Sequence, residues 1–351
     1  MGTALKWTCR MVLCGASLAA ALASRPAAAQ DEGRAYYAGK TVRMIVGSAP
    51  GGGYDVFSRM IAPYFSKVIG TTVVVENRPG AGGLSSLNFL YTAPPDGLML
   101  SLANGSGAAF AQITSQSGVR YDLTKFHYLA TVGAPPSVWL VDPNAPTKTI
   151  AQALTRPGKW RWAASGVSSG LSVGAAFTCV ALRMDCQVVA GYAGSNQAAL
   201  ALTRGEMDAM FQAESSAGNY VKAGEGVALA TMSRTRSRLF PDHPTIFEAT
   251  SLTPDQAWYF DFYDTISNLG RVMLVPPSTP PARLAYLQAA MRETLHNPQL
   301  IADGERAERF VDYLDPEGTL ANARKVISEP TPEQKRRVLE IIAGISGEEV
   351  K

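Results

Sequence analysis

Histidine and cysteine are scarce, with three and four residues respectively in a chain of 351. His127, His243 and His296 are scattered, and neither they nor the cysteines show metal-ligand spacing, which argues against a zinc site. No metal and no cofactor is expected. Charged residues make up only 17% of the chain, and the formal net charge of +3 belongs to one segment. Lys6, Arg10 and Arg25 all fall within residues 1–29, which contain no acid. Setting that segment aside takes Lys+Arg from 32 to 29, equal to the 29 Asp+Glu. There is then no electrostatic case for binding nucleic acid. The apolar run Met11–Ala23 is too short to span a membrane comfortably, and Ala27-Ala28-Ala29 offers a small-residue cleavage site before Gln30. Leu13 precedes Cys14 where lipidation needs a small residue. Residues 1–29 therefore read as a cleaved signal peptide and the rest as a free exported protein, with a retained N-terminal anchor as the alternative. Cys9 and Cys14 leave with the signal. Cys179 and Cys186 remain, either as a disulfide or as two buried thiols.

A phosphate-binding lysine is missing too. Gly47 and Gly52 have the outer spacing of a P-loop, but Gly53-Tyr54 stand where Lys-Ser/Thr is required, which argues against a nucleotide site of that type. What is there is a β-branched run, Val42–Val46, broken by Ser48-Ala49-Pro50-Gly51-Gly52-Gly53 and followed by Asp55, Val56, Met60, Ile61 and Phe65 at helical spacing. Strand, glycine turn and helix start together read as a main-chain anion pocket, since glycine removes Cβ obstruction and the helix supplies unpaired N–H groups; the plainer reading is a tight βα turn with no ligand. A β-branched residue at Gly52 is expected to crowd the anion and resist positive φ.

The unit repeats. Thr71–Glu76 is a second strand ending at Asn77-Arg78-Pro79-Gly80-Ala81-Gly82-Gly83, with a helix around Ser85–Tyr91. Leu98–Leu102 is a third, ending at Asn104-Gly105-Ser106-Gly107. Three such units predict a parallel α/β sheet with its glycine turns gathered at the carboxyl edge, where ligands bind. Further strands are expected at Val138–Val141, Trp160–Ala164, Gln187–Ala190 and Ala209–Phe211. Helices are expected at Leu171–Leu182, Gln197–Arg204, Pro281–Leu295 and Glu333–Ala343. The chain crosses back around Trp258–Val275, with Asp264–Arg271 a candidate hinge.

The succession V-R-M-I-V-x-x-A-P-G-G-G-Y-D, V-V-V-E-N-R-P-G-A-G-G and P-D-G resembles the extracytoplasmic receptors of the tripartite tricarboxylate transporter family. The resemblance continues through Val188–Leu202, Gly205–Gly224 and Arg236–Glu248. It implies a periplasmic binding protein of the second type, with two α/β lobes, each a mainly parallel sheet flanked by helices. Lobe 1 would comprise residues 30–138 and 262–351, and lobe 2 residues 139–261. The implied role is that of a non-enzymatic, monomeric receptor. It would capture a small carboxylate between the lobes and deliver it to inner-membrane permease subunits. The expected ligand-binding residues are Ser48–Tyr54, Asn104, Gly105, Ser106, Ser165, Gly166, Ser168, Ser169, Gly170, Tyr192, Gln212 and Glu214.

A second reading attaches to Ser165–Gly170. Gly166-Val167-Ser168-Ser169-Gly170 satisfies G-x-S-x-G, the nucleophile elbow of α/β-hydrolases, with Ser168 as nucleophile and Asp208 with His243 or His296 in the right chain order. Pro50 stands where the hydrolase oxyanion run has histidine. A plainer reading makes Ser168 or Ser169 a helix cap. Two departures from the receptor pattern also bear on the ligand. Ala193 replaces a basic residue, and Glu214 places an acid in the second-lobe loop. Facing the cleft, its carboxylate would repel a second ligand carboxylate by about 4 kcal/mol at 4 Å and an effective dielectric of 20; the alternative is that it points to solvent on the outer side of the loop. Both favour a monocarboxylate or an amine-bearing ligand over a tricarboxylate.

Overall fold

The computed structural model describes residues 33–166 and 169–346; the expected signal segment lies outside them. The strands among these residues are β1 (Thr41–Val46), β2 (Thr72–Asn77), β3 (Met99–Asn104), β4 (His127–Thr131), β5 (Ser137–Val141), β6 (Trp160–Ala164), β7 (Cys186–Ala190), β8 (Ala209–Ala213), β9 (Val227–Thr231) and β10 (Arg271–Val275). They form two five-stranded sheets, ordered β2-β1-β3-β10-β4 and β7-β6-β8-β5-β9. The two-lobed α/β arrangement is therefore present, and each sheet is mixed. β10 runs antiparallel to β3 and β4, and β5 antiparallel to β8 and β9.

The odd strand in each sheet is the one that has just crossed over. Four strands per sheet run toward the cleft between the lobes and end there in turns. β5 and β10 enter from the cleft, so they run the other way and begin at it. The two crossovers are fastened to each other: Val132 N–H donates to Arg271 O at 2.7 Å and Arg271 N–H to Gly133 O at 3.0 Å. Gly270 must be glycine here. Its φ is +55°, and a Cβ would stand 2.4 Å from Gly133 O.

Apolar strands packed under amphipathic helices make each core. In the first lobe the helix Gly53–Ile69 buries Phe57, Ile61, Phe65 and Ile69 and packs on the helix Pro281–Leu295. In the second, Trp139, Trp160 and Trp162 are buried together, with Phe211 stacked on Trp162 at 5.0 Å between centroids; such large apolar faces dominate a core. The second crossover is the helix Pro254–Ser267, opened by a Thr253/Gln256 capping box with Pro254 in its first turn. The C-terminal helix Pro332–Ser346 packs on the second-lobe helix Gly170–Ala181 although the chain has already returned to the first sheet.

Cys179 and Cys186 are joined in a disulfide linking that helix to β7, which decides between the two states left open by the sequence. Closing so short a loop stabilises by about 2–3 kcal/mol. Replacing both cysteines with alanine is expected to lower unfolding free energy by that amount in urea titrations while leaving ligand affinity unchanged, because neither residue reaches the cleft.

Candidate functional site

Between the sheets lies a cavity of about 760 Å³, within the range that holds small ligands. The glycine turns of both lobes meet over it. A Cβ on Gly166 would stand 2.6 Å from Gly82 N, and one on Gly82, whose φ is +69°, would stand 3.0 Å from Ser169 N. Asn196 Nδ2 of the second lobe donates to Gly51 O of the first at 3.3 Å. The lobes are thus closed on one another through backbone, at places where side chains would hold them apart.

Helix starts crowd the cavity wall. Those at Gly53, Ser195 and Glu214 have no side-chain cap, although Glu214 N–H itself donates to Pro136 O at 3.1 Å; first-turn N–H groups without a side-chain cap are open to a ligand or water. Those at Gly105 and Gly170 are capped from within: Asn104 Oδ1 accepts from Gly107 N–H at 3.1 Å, and Ser169 Oγ from Ser172 N–H at 3.3 Å. The plainer reading of Ser169 as a cap is therefore what the structure shows, though its side chain also borders the cavity.

Ser48, Gly52, Gly53, Tyr54, Asn104, Ser106, Ser165, Gly166, Ser169, Gly170, Tyr192 and Gln212 are all brought to the wall. Ser48 Oγ is buried there without a partner, and the buried Gln212 amide nitrogen has only Met210 Sδ, at 3.9 Å. Ser168 lies outside the described residues. Ala49, Pro50, Gly51 and Gly105 are not on the wall. Gly51 N–H is already taken by Asp55 Oδ2 at 2.8 Å, and Gly52 N–H by Ala49 O at 3.1 Å. The first turn is therefore a structural brace. Burial works against the Asp55 charge, but hydrogen bonds from Arg59, Gly51 and Asn77 outweigh it and hold the carboxyl below its ordinary range. The positive φ expected at Gly52 belongs to Gly51, at +79°, while Gly52 is extended at −68°. A Cβ at Gly52 would still crowd Ala49 O at 3.1 Å and Ser48 Oγ at 3.3 Å.

Glu214 requires correction. It is 1% exposed and turned away from the cavity: Oε2 accepts from Ser237 Oγ at 2.7 Å and Arg238 N–H at 3.0 Å, and Oε1 faces Arg238 Nε at 3.6 Å. It cannot repel a ligand by contact. The hydrolase residues also fail to gather. Asp208 is held by Arg156 and Arg161, each at 3.0 Å, and neither His243 nor His296 lines the cavity.

The residue that sequence reasoning missed is Arg271. It is the sole charged side chain on the wall among the described residues, and it is 6% exposed. Its guanidinium lies 4.3 Å over the Phe57 ring, and Nη2 donates to Ser215 Oγ at 3.3 Å. Burial opposes its charge, and Tyr54 beside it favours it. Burial pushes the Tyr54 phenol up to about 12. Tyr263, Ser137 and Ser267 join the same wall from the crossovers. A charge opening the apolar run Arg271-Val272-Met273-Leu274-Val275 was the available signal.

A cavity enclosed between two cross-connected α/β lobes, walled by helix starts, defines a solute-binding protein. The chain belongs to the tripartite tricarboxylate transporter receptors: the model of that family matches residues 57–308. Protein BugT of Bordetella pertussis is 25% identical over 279 residues, which cover 76% of this chain and 79% of BugT. The periplasmic binding protein BugD superposes with a TM-score of 0.72 at 21% identity, covering 87% of this chain and 98% of that one. MatC from Rhodopseudomonas palustris with bound malate superposes with a TM-score of 0.71 at 22% identity, covering 87% and 100%.

The glycine contact between lobes is testable. Gly166→Ala is expected to weaken ligand affinity at least tenfold by propping the cleft, with unliganded stability changed by no more than about 0.5 kcal/mol. Calorimetric titration beside urea unfolding reads both. Unchanged affinity would remove the closure from the binding mechanism.

Proposed function

We propose that this receptor captures a small carboxylate-bearing solute in the interlobe cavity and passes it to the permease subunits of a tripartite tricarboxylate-type transporter. The observation that carries this reading is the wall's charge: one buried guanidinium, uncapped helix starts and no carboxylate among the described lining residues. Such a wall favours an anion and disfavours a cation. The malate in MatC is an anion of that kind. Recognition combines Arg271, the N–H groups at the Gly53 helix start, and the Ser48 and Ser267 hydroxyls, with water completing the shell.

In this reading residues 30–138 and 262–351 build lobe 1 and residues 139–261 lobe 2, with Pro332–Ser346 reaching over onto lobe 2. The protein works as a periplasmic monomer after removal of residues 1–29. Closure excludes water and changes the outer surface, and the permease reads the difference between open and closed forms.

Thermal and calorimetric titration with mono-, di- and tricarboxylates, amino acids and neutral sugars tests the assignment. At a hundredfold excess over Kd a bound carboxylate is expected to add about 2.7 kcal/mol of stability, and neutral sugars none. Stabilisation by sugars and by no carboxylate would overturn it.

A further inference from the structure

The cavity wall has an uneven chemistry that goes beyond anion binding in general. At one place a cation is buried without an anion. Arg271 makes no ion pair among the described residues, and the two acids whose charges reach it, Glu214 and Asp312, are each paired with Arg238. Arg309 adds a second positive charge nearby, its Nη1 buried and unpartnered. Two helices without a side-chain cap meet Arg271 near their starts: it lies over Phe57, four residues into the Gly53 helix, and donates to Ser215, the second residue of the Glu214 helix. A buried guanidinium so placed is costly unless an anion arrives to pair with it.

One stretch of the wall is apolar, beside neutral polar groups such as Asn104, Ser106 and Gln212. Leu84, Leu87, Ala108, Tyr121, Val173 and Phe211 border the cavity and belong to one hydrophobic cluster. The Tyr121 hydroxyl is turned into protein, donating to Ala108 O at 2.9 Å, so its ring faces the space as hydrocarbon. The third uncapped helix start, at Ser195, is preceded by an N–H already served: Ala193 N–H donates to Gln197 Oε1 at 2.8 Å. A second carboxylate placed among these side chains would have no cation to meet. A volume of about 760 Å³ is also far more than one carboxylate and its waters fill.

Building on the receptor reading above, we propose that the solute is a monocarboxylate with an extended apolar body, its carboxylate anchored by Arg271 and its hydrocarbon lying against the Leu84–Tyr121–Phe211 wall. Arg271 is the residue that sets this specificity. The guanidinium fork holds a carboxylate through two parallel hydrogen bonds, which a lysine cannot reproduce.

Octanoate, octanamide, malate and citrate serve as probes in calorimetric titrations of the wild-type protein, Arg271→Met and Arg271→Lys. Octanoate is expected to bind wild type at least tenfold more tightly than malate or citrate, and octanamide at least a hundredfold more weakly than octanoate. Arg271→Met is expected to lose octanoate binding by a hundredfold or more while its unliganded midpoint stays equal or rises, because a buried unpaired charge has been removed. Arg271→Lys is expected to fall between them. Should Arg271→Met not fold, the comparison of octanoate with octanamide in wild type decides the charge requirement by itself. Tighter binding of malate or citrate than octanoate overturns the proposal and leaves the carboxylate receptor standing, as does undiminished octanoate binding in folded Arg271→Met. Binding of no carboxylate at all overturns both.

Discussion

The pairing of the two crossovers is the constraint on which the cleft depends. Arg271 exchanges backbone hydrogen bonds with Val132 and Gly133, so the two passages that join the sheets are tied side by side. The tie sets where β5 and β10 begin, and both begin at the cleft. It also fixes the backbone of the one charged residue on the wall. Gly270, in the left-handed region and packed against Gly133 O, is what lets the strands approach that closely.

From that tie the closed form follows by backbone geometry. The lobes can shut only if their opposing turns present no side chains, and the turns at Gly82 and Gly166 do not. Interlobe polar contacts lie mostly outside the cavity: Asn196 with Gly51, Lys222 with Glu308, and Arg238 with Asp312. The surface pairs contribute little each. The cavity's own groups, Arg271, Ser48 and Gln212, are left under-partnered by the protein, which is the usual mark of a place where a ligand completes the bonding.

Much of this was legible in the residues. β-branched runs ending in glycine located β1, β2 and β3, and the same turns located most of the wall. Trp160–Ala164 and Pro281–Leu295 match their expected limits. β4, β9 and β10 went unread because each is only five residues long and none shows a strict apolar–polar alternation. The site was misjudged where local and tertiary demands compete. Gly51 and Gly52 N–H groups look free in sequence but are used by Asp55 and Ala49 to hold the turn. Glu214 occupies a loop position that faces the cleft in the expected alignment, yet Ser237 and Arg238 draw its carboxylate behind the wall. Arg271 was overlooked for a topological reason: ligands are sought at the carboxyl ends of parallel strands, and it stands at the amino end of an antiparallel one.

The central claim is that the cavity holds an acid. Mass spectrometry of small molecules released by denaturing freshly purified protein tests it most directly. The account predicts a near-stoichiometric small carboxylic acid whose readdition restores the closed form. Release of a cationic or uncharged solute in that amount would contradict it.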